Sequence, residues 1–490
     1  MFKTLSDKIT RDSDLPFRAW KIGVLDMVLN DTLYDILPNA FHEEKNDAGE
    51  YILLRDRRPS VQTGLIKTVV DDTVSMLFSE GHFPVVNCES ETLRNQLALL
   101  IKHCNINMLL IEAATKGSVG SVVIWFMLLK GKPYFRTLST QYLTPVYFPD
   151  EPDKLQKVVE KRKVKGDALI DIGYAGIDAK ALYWFEREWT ENEEVWFVPR
   201  EVAKVKNDPN NTAKVIDASK TTRHDLGFVP MVWIKNLPGC DGIDGAPTMT
   251  KSAINTVIEA DYQLSQVGRG LKYSSDPTLI IKEPAVDSEG RIVKSPANAV
   301  QVSEKGDAKL LEINGTAAAV VLDYVKVLRD TALEAMHGNR SNPDKMSAAQ
   351  SGRALELMHQ SLIWIADKLR ITYGEGAILQ LMQMVIKASA KIEIIVGDEK
   401  LKNLKPEKLS LVWPAWFPST YEDKMNQATA LNKLTESGVL SKETATQAIS
   451  ADYDIEDVDA EIAKITTEKD DAEKRTIATA SKKPAPMGEQ

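Results

Sequence analysis

Several places in the sequence gather residue types that chemistry could use. Lys116-Gly117-Ser118-Val119-Gly120-Ser121 carries the glycines of a phosphate-cradling loop. The G-x-x-x-x-G-K-[ST] order is missing, so nothing sets a lysine ammonium on a phosphate, and the segment reads as a turn from a helix into a strand. His42-Glu43-Glu44-Lys45 lacks the second histidine of a zinc-hydrolase helix and reads as a solvated loop. Asp71 and Asp72 are adjacent, so on a helix they project about 100° apart and cannot share a cation; they fit the polar edge of an amphipathic helix. Cys88, Cys104 and Cys240 are widely spaced and have no basic neighbour to hold a thiolate. They supply neither a disulfide framework nor a Cys₄ zinc site, as expected of a chain made in a reducing compartment. No G-x-S-x-G elbow occurs, and the six histidines form no local ligand pair. The sequence predicts no enzyme, no cofactor and no metal.

A nucleic-acid reader is also disfavoured. Residues 422–435, Gly438 and 442–449 outline a helix-turn-helix. The second helix offers Lys442, Thr444, Thr446 and Gln447 to base edges, but Asp452, Asp454, Glu456 and Asp457 follow at once and would repel phosphates. The whole chain has 61 Lys and Arg against 70 Asp and Glu, a net charge of −9, which is unlike a basic clamp on DNA.

The elements that would position any site can be read from periodicity. The 490 residues suggest about three domains at ~150 residues each, and 43 % hydrophobic residues suffice for a sizeable core. The N-terminal MFKTLSDKI has no apolar signal core. The longest apolar run, Ser121 to Leu129, is about half of the ~20 residues of a membrane span, so no membrane partner is expected. Val61, Leu65, Val69, Thr73 and Leu77 predict one helix, and Leu93, Leu97, Leu100, Cys104 and Met108 a second. Ser121–Leu129 and Tyr134–Leu138 predict a hairpin across Lys130-Gly131. Runs at 157–164, 181–189 and 194–199 predict an antiparallel meander.

Long helices then dominate. Ala253, Val257, Ala260, Leu264, Val267 and Leu271 are spaced 4-3-4-3-4, a heptad seam, with Glu259, Asp261, Gln266, Arg269 and Lys272 assigned to the other faces. Short strands are expected at 278–281, 291–293, 299–302 and 309–313, followed by a helix over 316–337 with the polar stripe Asp323, Lys326, Asp330, Glu334 and His337. Gly338 to Lys345 must interrupt helix. A longer helix begins near Ser347, and Gly374 and Gly376 predict a kink in it. Lys391–Val396 and Leu409–Trp413 read as a last strand pair, and Ser441 as an N-cap. The charged residues after Ile465 read as a disordered tail. A seamed helix with a nearly apolar partner fits packing between subunits, and equally a single-chain bundle with a β insertion.

Four segments resemble the portal proteins of tailed bacteriophages of the SPP1 type: Ile66-Lys67-Thr68-Val69-Val70-Asp71-Asp72 after Arg57-Arg58-Pro59; Leu226-Gly227-Phe228-Val229-Pro230 with Asn236, leading through Asp241 to Gly245 into the helix from 247; Ser351-Gly352-Arg353-Ala354-Leu355; and residues 434–445. Their order over nearly the whole chain carries the likeness. The resemblance implies an α+β portal fold assembled as a ring: an α/β wing over 1–246, stem helices over 247–275 and 316–338 around a small α/β clip at 276–315, a tunnel loop at 339–346, a long kinked helix with further wing over 347–419, a helical crown over 420–467, and a tail at 468–490. It implies a dodecamer at one capsid vertex of the virion, made in the host bacterial cytoplasm. Its channel passes double-stranded DNA in packaging and ejection, and its partners are terminase, the head–tail connector, the major capsid protein and scaffolding protein. In that frame Asn339, Arg340, Asn342 and Lys345 would touch DNA, and Val257, Leu264, Val267 and Leu271 would form the oligomer seam. Another ring-forming virion connector is the alternative, though such proteins are usually much shorter.

Overall fold

The computed structural model describes residues 1–79, 81–207, 213–239, 242–274, 278–284, 302–311, 316–338, 356–357, 359–417, 421–450, 458, 460–468 and 474. Two compact units divide the chain: Met1–Arg340 with His359–Trp416, and Ser341–Met358 with Phe417–Gln490.

The first unit opens with helices α1 (Phe2–Ser6) and α2 (Phe17–Leu29) and the short parallel pair β1 (Asn39–Ala40) and β2 (Arg57–Arg58). Helix α3 spans Leu65–Phe78 and starts only after Gly64, whose φ of +58° is easiest for glycine. Val61 therefore lies outside the helix that its spacing predicted. The second predicted helix is two helices, α4 (Glu91–His103), capped by Ser90, and α5 (Ile106–Gly117). Asn105 at φ +49° breaks the run, and Met108 turns outward, 67 % exposed. Among the described residues no single helix is long and apolar enough to cross a membrane.

Strands β4 (Ser121–Leu129) and β5 (Lys132–Ser139) form the expected hairpin, since Lys130 and Gly131 both take the positive φ of a tight hairpin turn. A distant strand, β12 (Met231–Lys235), covers the other edge of β4. The meander is present as β7 (Leu155–Lys165), β8 (Leu182–Trp189) and β9 (Glu193–Trp196). It is widened by β6 (Leu143–Tyr147), β10 (Arg200–Glu201) and β11 (Thr222–Arg223) in the order β11-β9-β8-β7-β6, with β10 on β8. Trp125 of β4 meets Trp189 of β8 edge-on at 5.5 Å, in a small core with Val123, Leu143, Val158 and Met231.

Two long helices follow, α6 (Lys251–Ser274) and α7 (Thr316–Ala335), packed on one another. They bracket an antiparallel hairpin, β13 (Thr278–Pro284) with β14 (Val302–Leu311). The strands expected at 291–293 and at 299–301 lie outside the described residues. Helix α8 (Gln360–Leu369) continues through a π-helical stretch, Arg370–Ile378, into α9 (Leu379–Ser389). The segment 347–355, where that helix was expected to begin, is outside the described residues.

The predicted last strand pair is corrected. Strand β15 (Ile394–Val396) turns back at Gly397, φ +60°, onto β16 (Glu399–Leu401), while β17 (Ser410–Val412) pairs with β3 (Val85–Asn87). The first is a local hairpin that one glycine permits, and the second joins strands over 300 residues apart, beyond the reach of local patterning.

In the second unit, α10 (Tyr421–Glu436) leads through Gly438 at φ +72° to α11 (Lys442–Ile449). The Ser441 side chain accepts from the Thr444 N–H, the predicted N-cap. Most of the region read as a disordered tail lies outside the described residues.

Candidate functional site

The geometry worth building up is the root of the paired helices, where α6 leaves the β-sheet layer. The chain enters α6 from β12 through a loop with two buried polar anchors. Asn236 donates to the Ala246 carbonyl at 3.1 Å and to Thr248 Oγ1 at 2.9 Å, while its own Oδ1 accepts from the Tyr373 hydroxyl at 3.2 Å. Thr372 donates to the Asn236 carbonyl at 3.1 Å. One asparagine thus joins the start of α6 to the π-helical stretch. The second anchor is Asp244, which receives Arg18 Nε at 2.8 Å and Nη2 at 2.6 Å in the bidentate fork that suits a carboxylate, and also Ser121 Oγ. Burial alone would raise the Asp244 carboxyl, but the hydrogen bonds from Arg18 and Ser121, with the charge of Arg18, carry it below the ordinary carboxylate value.

Nearly three turns into α6, Asp261 is only 3 % exposed. Its Oδ2 accepts from the Tyr34 hydroxyl at 2.8 Å, and its Oδ1 accepts from the Thr63 N–H and the Thr63 hydroxyl, each at 2.9 Å. Burial pushes this carboxyl above its ordinary value despite those donors, and the Asp31 charge adds to the rise. Ser265 caps the arrangement, donating to the Asp261 carbonyl at 2.8 Å and accepting from the Val61 N–H at 3.0 Å. Tyr262 donates to the Arg57 carbonyl at 2.9 Å, and the buried Arg57 guanidinium in turn donates to the Ile52 carbonyl. Asp261 lies off the seam, as its spacing predicts, but on a face that other segments of the chain cover. The sequence signal was available: an acid beside the seam residue Ala260, with Ser265 one turn on.

The seam itself divides. Ala253, Val257 and Ala260 are buried within the chain, Leu264 and Val267 are half-buried, and Leu271 is exposed. Leu264 borders a cavity of about 290 Å³ shared by α3, α6 and α7, with Leu65, Val257, Val325, Leu328 and Ala332. Val257 thus belongs to an intrachain contact. On α7, Val320, Tyr324 and Val327 step by four and three, and all are exposed on the single chain.

The two glycines of the long helix have different surroundings. A Cβ on Gly374 would come 2.5 Å from Trp413 Cζ2 and 3.1 Å from Leu411 Cδ1, whereas the nearest atom at Gly376 is the Ile371 carbonyl at 3.6 Å. Gly374 makes room for a tryptophan, and both glycines lie inside the π-helical stretch rather than at a break between helices. Gly117, in the segment read as a turn from helix into strand, sits where a Cβ would be 1.9 Å from the Tyr373 hydroxyl. At the start of the π stretch the Arg370 guanidinium stacks on Trp413 and Trp416 and donates to the Pro414 carbonyl at 3.2 Å.

The carboxylates of Asp244 and Asp261 are buried against hydrogen-bond donors. Among the described residues no group of three or more His, Cys, Asp or Glu is placed to hold a metal ion. The expected DNA-facing residues Asn339, Arg340, Asn342 and Lys345 lie outside the described residues.

The sequence profile described as phage portal protein, SPP1 Gp6-like, matches residues 54–475. No curated protein matches the chain. A chain in a solved structure titled "Virion of native gene transfer agent (GTA) particle" is similar over 79 % of this chain and 88 % of that one, at 12 % identity and a TM-score of 0.39.

Proposed function

The chain belongs to the SPP1 Gp6-like family of phage portal proteins, and on that premise we propose that twelve copies close into a ring at one vertex of the capsid, with α6 and α7 around the channel for double-stranded DNA. The family is a structural component of the virion and not an enzyme. In this reading the first unit supplies wing and stem, and the region of β13 and β14 is the clip that meets terminase during packaging and the head–tail connector afterwards. Helices α10 and α11 belong to the crown, and residues 339–346 form the tunnel loop. Capsid and scaffolding proteins contact the ring during assembly.

The observation that carries the reading is the apolar stripe Val320, Tyr324 and Val327, 65 %, 47 % and 60 % exposed on a single chain. Large side chains at helical spacing on a stem helix leave a continuous apolar face, and burial against a neighbouring copy would stabilise each by roughly 1–2 kcal/mol. The charge agrees with a conduit. At −9 per chain, a ring repels a polyanion on average, and a channel that must let DNA slide cannot hold it by many phosphate contacts. The decisive experiment is native mass measurement with electron microscopy of the purified protein. A particle near twelve times 54.5 kDa with an axial hole supports the proposal, and a monomer at every concentration and salt tested overturns it.

A further inference from the structure

Residues 1–53 fall outside the span matched by the portal family, yet they make some of the most specific contacts on α6. The Phe2 N–H donates to Asn255 Oδ1 at 3.0 Å, and Leu5 is buried in the same core as Ile254 and Ile258. Tyr34 donates its hydroxyl to Asp261, and its ring meets that of Tyr262 edge-on at 6.2 Å. Glu44 pairs with Arg269. Asn255, Tyr262 and Arg269 are seven residues apart, so they lie along one stripe of α6, about 21 Å long at 1.5 Å per residue. That stripe is distinct from the seam through Val257 and Leu264.

The same segment is tied to the sheets. Arg18 forks onto Asp244 in the loop before α6 and donates to the carbonyls of Thr140 and Leu143. Asp12 and Asp14 receive the Lys163 ammonium of β7 at 2.8 and 2.6 Å.

We propose that residues 1–53 are a brace that fixes the first stem helix against the wing, gripping α6 along the Asn255–Tyr262–Arg269 stripe and the wing sheets through Arg18, Asp12 and Asp14. The matched span already holds the middle of α6, through Arg57 on Tyr262, Val61 on Ser265 and Thr63 on Asp261. Residues 1–53 add the holds at Asn255 and Arg269 on either side, and a further bond to Asp261 from Tyr34, so that three successive heptad positions are fixed and the helix cannot tilt about its middle. The brace is a feature of this chain's own subunit and does not depend on how many copies form a ring.

The test is hydrogen–deuterium exchange of the assembled full-length protein against a variant lacking residues 2–9 and, separately, against the double variant Asn255→Ala, Arg269→Ala, which deletes the α6 side of two contacts without touching the hydrophobic core. Exchange across residues 251–269 is expected to rise at least tenfold in both, with β4 and β5 unchanged. If the deletion does not fold, the double variant alone decides. Unchanged exchange over 251–269 overturns the brace. So does a rise of equal size in β4 and β5, because the segment would then contribute to general stability and not to the seating of α6.

Discussion

Asp261→Asn is the sharpest probe of the root of α6. The wild-type carboxyl is raised above its ordinary value of 3.8, with burial as the leading cause. A group whose folded-state value lies above its unfolded value holds its proton more tightly when folded. Its contribution to stability is therefore greatest below pH 3.8, declines as pH climbs from there through the raised folded value, and is constant and unfavourable beyond it. Asparagine resembles the protonated acid. Its Oδ1 can keep both Thr63 bonds and its Nδ2 can donate to the Tyr34 oxygen, so the exchange gives up charge-assisted strength, about 1 kcal/mol per bond at most, and removes a buried charge worth a comparable amount. The net change at pH 7 is expected to lie within about 1 kcal/mol of zero. Asp261→Ala leaves the Thr63 N–H and the Tyr34 hydroxyl buried without acceptors, at ~1–3 kcal/mol each, and should cost about 2–5 kcal/mol.

Thermal melts of wild type and both variants between pH 3.5 and 7.5, at one fixed protein concentration because assembly shifts the midpoint, separate these cases. The wild type should lose stability relative to Asp261→Asn as pH rises, and the two should converge in acid. A wild type that gains on Asp261→Asn with rising pH, or an asparagine variant as damaged as the alanine one, would show that the carboxylate is favourably solvated and that the burial argument is wrong.

Three further expectations can be checked directly. Gly374→Ala drives a methyl into Trp413 and should cost about 1–3 kcal/mol, whereas Gly376→Ala meets only the Ile371 carbonyl at an ordinary contact distance and should stabilise by up to about 1 kcal/mol; equal melting points for the two would refute separate roles. Val327→Asp should block ring formation while leaving the melting of the isolated subunit within about 0.5 kcal/mol of wild type, since Val327 is exposed there, and an intact ring by light scattering would remove the apolar stripe from the interface. Arg340→Glu with Lys345→Glu should lower DNA retention in filled particles without affecting assembly, and unchanged retention would assign those cations to contacts between subunits.

What the sequence disclosed and what it hid follow from distance along the chain. The β4–β5 hairpin was legible because Lys130-Gly131 supplies the turn and eight register pairs lie within twenty residues. The long helices that bracket a hairpin were legible because a seam repeats over several turns. The burial of Asp261 was not legible because its cover, Tyr34 and Thr63, comes from about 200 residues earlier, and a helical wheel cannot distinguish a face that meets water from one that meets a remote segment. Gly374 was noticed for its conformation, while its size against Trp413 matters at least as much. Asn236 was quoted only as part of a motif, though its three side-chain hydrogen bonds link two parts of the fold.

Those hidden contacts share a physical logic. Apolar seams set how α6 and α7 lie together but tolerate sliding by a turn, since Val, Leu and Ala present similar surfaces at each step. Asp261 and Asn236 do not tolerate it: moving α6 by one turn would strand the Tyr34 hydroxyl, the Thr63 N–H and the Asn236 amide without partners, at ~1–3 kcal/mol apiece. The polar root therefore contributes little net stability yet makes one register of α6 far better than its neighbours. For the ring proposed above that property counts for more than a tight subunit, because a register error in one copy would misplace its apolar stripe against the next.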